Sequence, residues 1–149
     1  MTADLDLIAH LNAVLKNTLT GINQYFLHAR VLKHREHVKL ADYEYKISID
    51  AMKHSDMLVE HVLTLGGLPN MQELGRLMIG ETMDAMLTND LAHMETSILR
   101  LKTAIAYCES AAHPVTSLLL NRILESQQEH AGFIRSQIPT THLSRKDCA

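Results

Sequence analysis

The sequence predicts an all-α protein, a single four-helix bundle, and three observations carry that expectation. Apolar residues recur at steps of three and four along four long segments. Only three prolines and six glycines occur in 149 residues, which leaves room for few turns. The second, third and fourth segments each stop at a helix-breaking signal. A chain of this length buries about 68–70% of its unfolded surface as one domain, without disulfides or metal staples.

The first helix is expected over about Asp4–His34, with acidic residues in its first turn and an inward stripe of Leu11, Leu15, Thr18, Ile22, Tyr25, Ala29 and Leu32. The second spans about Lys39–Leu65, carries Ile47, Ala51, His54, Leu58, His61 and Leu65, and stops at Gly66-Gly67 with Pro69 beyond. LPNMQELGRLMIGETM follows without a helical pattern. A connection of about fifteen residues is long for a compact domain. It is the length that carries a chain from one end of a bundle to the other, which makes the second and third helices parallel. The third helix, about Asp84–Ala111, presents Leu87, Leu91, Met94, Ile98, Leu101, Ile105 and Cys108, and His113-Pro114 breaks it. The fourth, about Val115–Ile138, presents Leu120, Ile123, Gln127, His130 and Ile134, and Pro139 closes it. Residues 1–138 are therefore assigned to the bundle and 139–149 to a short polar tail.

Composition excludes several function classes. The formal charge is −3 with Lys and Arg scattered, so no nucleic-acid footprint is present. Cys108 and Cys148 make no disulfide framework, which suits a reducing cytoplasm. The opening MTADLDLIAHLN is acidic and amphipathic, unlike a signal peptide, and no apolar run approaches the ~20 residues of a membrane span.

A bundle builds a carboxylate-bridged di-iron site from Glu-x-x-His on each of two helices and one Glu from each of the others. Here the mid-stripe positions are Thr18, Ala51 with His54, Met94, and Gln127 with His130. The histidines are present and the carboxylates are not. Iron or manganese needs anionic oxygen ligands in such a place. Thr18 and Gln127 offer neutral oxygens, Met94 a soft thioether, and Ala51 nothing. Two readings stay open for His54 and His130: hydrogen-bonded core residues, or a single weak transition-metal site completed by Gln127 or Met94. Glu95 and Glu129 lie off the stripe and are expected to point away, and His93 is expected to face outward.

The second helix is apolar on another side as well, through Tyr45, Ile49, Met52, Val59 and Leu63, and the first helix matches it with Leu19, Ile22 and Phe26. A helix apolar on more than one face is buried on more than one face, which implies a partner subunit. By pattern alone Met52 reads as adaptable packing, one of eight methionines.

The runs NQYFLHAR (Asn23–Arg30), SIDAMKHSD (Ser48–Asp56) and LGGLPNMQELGRLMIGE (Leu65–Glu81) are similar to those of bacterioferritin, the haem-containing ferritin of bacteria, and the similarity extends from about residue 5 to residue 138. The resemblance implies a ferritin-like subunit, two-fold dimers, a cage of many subunits storing ferric mineral, and one haem b per dimer ligated by a methionine from each side. On that resemblance Met52 is the axial ligand to the haem iron. Leu19, Ile22, Asn23, Phe26, Tyr45, Ile49 and Lys53 match the surrounding pocket, and Met57 and Met71 occupy lining positions with altered side chains. An isologous interface supplies the second ligand by symmetry, and thioether ligation favours the ferrous state.

The ferroxidase half does not carry over. The family has glutamates where this chain has Thr18, Ala51, Met94 and Gln127, and only His54 and His130 match. Asp50 matches a cavity-facing position that takes iron in the family, with Lys46 as an unhelpful neighbour. The family's fifth helix is short or absent in 139–149, which puts cage closure in doubt. Three readings follow. The chain is a non-catalytic, haem-binding subunit that co-assembles with a ferroxidase-competent bacterioferritin subunit and receives electrons from a ferredoxin-type donor. Alternatively it forms a stand-alone haem-bearing cage or smaller oligomer, or it is a ferroxidase with a remodelled iron site.

Overall fold

The computed structural model describes residues 3–138 as four helices: α1 (Leu5–His34), α2 (Val38–Thr64), α3 (Met83–Ser110) and α4 (Pro114–Gln137). The expected tail, with Pro139 and Cys148, lies outside the described residues. Local chemistry sets the helix ends. The Asp4 carboxylate accepts from the Leu7 amide at 3.1 Å and the Thr82 hydroxyl from the Ala85 amide at 3.1 Å, each satisfying a first-turn N–H that the helix cannot. Pro114 opens α4, where its missing N–H costs nothing.

At their C-termini α1, α2 and α3 close the same way. The His37, Gly67 and His113 amides donate five residues back, to the Leu32, Val62 and Cys108 carbonyls, at 2.9, 3.0 and 2.8 Å. The residue before each donor is left-handed: Glu36 (φ 68°), Gly66 (φ 82°) and Ala112 (φ 59°). Only Gly66 adopts that conformation without a Cβ penalty.

The core clusters give the topology. Leu7, Leu11 and Leu15 of α1 pack at one end with Leu58 and Val62 of α2, Leu101 and Cys108 of α3, and Leu120 and Ile123 of α4. Tyr25, Ile47, Leu87, Met94, Ala131 and Ile134 form the next cluster, and Leu32, Ala41 and Met86 the far end. Successive residues of α2 and α3 thus descend the bundle together, while α1 and α4 run against them. Helices two and three are parallel, as the connection length predicts. α1 packs on α2 and on α3, and α3 on α4, whereas α2 and α4 meet along a thin seam.

The crossover, residues 65–82, has no secondary structure of its own, so its backbone groups need partners. Polar residues spaced by four on α1 supply them. Asn12 bonds to the Leu68 carbonyl (3.2 Å) and the Asn70 amide (2.9 Å), and Lys16 pairs with Glu73 (3.0 Å). The Gly75, Met78 and Gly80 amides donate to Thr20 Oγ1 (2.7 Å), Gln24 Oε1 (3.1 Å) and His28 Nε2 (3.0 Å). Four residues advance about 6 Å along a helix and return to nearly the same face. One stripe therefore holds the strap along its length. Gly80 ends the strap so close to α3 that a Cβ there would strike the backbone of Ala85 and Met86.

Candidate functional site

The second apolar face lies open. Met52 is 53% exposed on α2, between Tyr45 and Leu63, which are also exposed, and Phe26 is exposed on the neighbouring α1. Leu19 and Ile22 of α1 and Ile49 and Met57 of α2 are half-buried, and Asn23, Lys53 and the strap's Met71 are exposed. Phe26 and Tyr45 lie with ring centroids 6.3 Å apart, and the Arg30 guanidinium stands 5.2 Å from each centroid. A cation over two aromatic faces fixes both rings. A thioether at the surface, walled by aliphatic and aromatic side chains, is chemically suited to a flat apolar group with a soft-ligand requirement at its centre. The structure thus brings Phe26 and Tyr45 of the sequence-predicted haem residues together across the α1–α2 pair, with Met52 exposed about two turns along α2 from Tyr45.

The mid-bundle centre has a different character. Thr18 is buried, but its hydroxyl turns back to donate to the Val14 carbonyl (2.9 Å). Ala51 and Met94 are buried apolar packing, and Gln127 is buried with no donor reaching its Oε1. His130 Nε2–H donates to Asp50 Oδ2 at 2.9 Å, and its Nδ1 accepts from the Tyr43 hydroxyl at 3.1 Å. A carboxylate can only accept, which sets this tautomer. Tyr43 is itself stacked on Phe133, with centroids 3.6 Å apart. His54 is half-buried, with Nδ1 unpartnered. Burial holds both imidazoles below the usual histidine range, against the opposing pull of Asp50.

Two ferric ions need bridging carboxylates. Among the described residues the one carboxylate bonded here is Asp50, held by His130, so the residues present do not fit a di-iron substrate site. Glu95 and Glu129 are exposed, as expected, and Glu95 pairs with Arg135 at 3.3 Å. His93 departs from expectation. It turns inward, Nε2–H donating to the Asn17 carbonyl at 2.9 Å, and packs edge-on to Tyr25. The reason is Gly21 beside Tyr25, where the missing side chain leaves room for the imidazole.

Sequence reasoning missed a second polar cluster. His28, Glu44 and Asp90 are each 0% exposed, and among the described residues they are the one group of three His, Cys, Asp or Glu side chains gathered closely enough to share an ion. They come from α1, α2 and α3, beside the end of the strap, whose Gly80 amide bonds to His28. Asp90 Oδ1 accepts from His28 Nδ1–H (2.8 Å) and Gln24 Nε2–H (2.9 Å). Gln24 and His28 belong to the four-spaced stripe on α1, the sequence signal that could have located the cluster.

Comparison with known proteins agrees with this architecture. Residues 8–143 match the ferritin family, described as a ferritin-like domain. The chain is 34% identical over 138 residues to the protein named bacterioferritin BfrA of Mycobacterium tuberculosis, covering 93% of this chain and 87% of that protein. It is 35% identical over 139 residues to a bacterioferritin of Streptomyces coelicolor, covering 93% and 83%. It is 32% identical over 138 residues to a bacterioferritin of Rhodobacter capsulatus, covering 93% and 86%.

Proposed function

Because the chain belongs to the bacterioferritin family, whose work is iron storage, we propose that it is the haem-binding, ferroxidase-silent subunit of such a store. One observation carries this reading: on α2, Met52 faces outward on an apolar surface while its neighbour Ala51 faces a core centre without glutamates.

The residues would act as follows. Met52 would offer its thioether to haem iron, and its two-fold-related copy would offer the second ligand. Ile22, Phe26, Tyr45 and Ile49 form the apolar wall, and Arg30 holds the two aromatic rings in place. Haem held there supplies a one-electron carrier between a reductant, such as a ferredoxin-type donor, and stored ferric iron. At the centre, His54 and His130 remain neutral, and Asp50 fixes His130 by its Nε2–H. Iron oxidation then falls to a second, glutamate-bearing bacterioferritin subunit in the same cytoplasmic assembly.

The test is co-expression with such a subunit, followed by native mass spectrometry and haem quantitation. The reading expects mixed oligomers and about one haem per two-fold dimer, set by the symmetry of the interface. Strict segregation of the two chains overturns co-assembly, and haem bound only by the other chain overturns the role of Met52.

A further inference from the structure

The interior of α1, α2 and α3 carries a second polar site, and its protonation can be read from backbone polarity. A peptide N–H can only donate. The Gly80 amide donates to His28 Nε2 at 3.0 Å, so that nitrogen bears no hydrogen and the neutral ring carries its proton on Nδ1. Nδ1–H therefore donates to Asp90 Oδ1 at 2.8 Å. By the same logic the Met78 amide donates to Gln24 Oε1, which leaves the Gln24 amide nitrogen to donate to Asp90 Oδ1 at 2.9 Å. Asp90 Oδ1 thus accepts twice, so a proton shared with a neighbouring carboxyl has to lie at Asp90 Oδ2 or on that neighbour.

Three buried oxygens remain without a donor: Asp90 Oδ2 and both oxygens of Glu44. Among the described residues no lysine or arginine pairs with them, and both His28 nitrogens are already engaged. Two adjacent buried carboxylates cannot both be charged at reasonable cost. Either a proton or a cation must sit between them. A cation would have to displace the His28–Gly80 or His28–Asp90 bond to gain a nitrogen ligand, whereas a proton disturbs neither.

We propose that Glu44 and Asp90 form a buried proton-binding site, in which Glu44 stays a neutral carboxylic acid and donates its O–H to Asp90 Oδ2. The groups facing Glu44 are Tyr25 and His28 from α1 and Asp90 from α3, with His93 of α3 packed behind Tyr25. No α4 group figures among the charges acting on it. Desolvation, and then the adjacent Asp90 carboxylate, hold the Glu44 carboxyl well above the usual carboxylate range. The Tyr25 hydroxyl is buried beside the pair without a partner, and desolvation raises it too. The proton completes a chain of polarity running from the strap amides through Gln24 and His28 to Asp90, so the site joins α2 to the clamp that holds the crossover.

Infrared spectroscopy of the intact, assembled protein at neutral pH tests this directly. The expected spectrum contains a protonated-carboxyl C=O band that shifts in D₂O, survives prolonged chelation, and is lost in Glu44→Gln. Absence of the band, or its persistence in Glu44→Gln, overturns the proposal. So does elemental analysis that finds one magnesium, manganese or zinc ion per chain in the wild type and none in the variant. If Glu44→Gln does not fold, Asp90→Asn serves. Removing the neighbouring charge should move the alkaline loss of the band to lower pH, and an unmoved midpoint overturns the assignment.

Discussion

Ala51 and Met52 are neighbours on α2 and belong to opposite kinds of site. Met52 lies on an open face that a second copy could complete, and its surroundings keep apolar walls, paired aromatics and a clamping arginine. Ala51 lies in a sealed core, where the side chains around it have turned to internal partners or to none. A charge in a bundle core persists only if something neutralises it. At the mid-bundle centre the glutamates are absent, and burial holds two histidines below the usual range. At the Glu44–Asp90 pair the carboxylates remain, and the proposed proton keeps the pair to a single charge.

The largest expected effect breaks this contrast from the outside. Met52→Leu keeps the volume and removes the proposed ligand, so haem absorbance should vanish while helical circular dichroism is unchanged. Retained absorbance would remove Met52 from the iron. From the inside, the combined Thr18→Glu, Ala51→Glu, Met94→Glu and Gln127→Glu variant should bind about two irons per chain, measured by titration and elemental analysis. A folded variant that binds none would mean the seam between α2 and α4 has changed shape as well as chemistry.

Stability measurements sharpen the comparison further. Gly80→Ala drives a Cβ into the backbone of α3 and should cost about 1–3 kcal/mol or more by chemical denaturation, with the strap amides losing exchange protection. The pH dependence should have two limbs. His54, His61, His93 and His130 are all held below the usual range, chiefly by burial. Their contribution is present above the unfolded value of 6.5 and is lost as pH falls below it toward the folded values. Glu44 is raised, so its contribution is complete below the unfolded value of 4.5 and is lost as pH rises toward the folded value. Glu44→Gln should flatten the alkaline limb of thermal denaturation and leave the acid limb intact. The smallest expected effect is at Ala112, where Ala112→Gly relieves a left-handed residue at the end of α3 and should add up to about 1 kcal/mol.

Much of the fold was legible because helix ends are written in local chemistry. Asp4, Thr82, Gly66 and Pro114 mark boundaries within a residue or two of those expected. The length of the strap fixed the parallel course of α2 and α3. The glutamate-free centre could also be read, since its six positions fall on four inward stripes. Glu44 and Asp90 could not. A carboxylate beside an apolar stripe ordinarily reads as solvated, and these two are buried only because α1, α2, α3 and the end of the strap converge there. His93 failed for a related reason: its inward turn depends on the space at Gly21, on another helix.

Aerobic oxidation of Fe(II) by the purified homomer, at a few irons per chain and measured against the protein-free rate, tests the central claim most directly. A chain with no working centre should leave the rate at the protein-free value, whether or not haem is bound. Clear acceleration that disappears in the His54→Ala, His130→Ala double variant would contradict the account and make the remnant centre an iron-oxidising site in its own right.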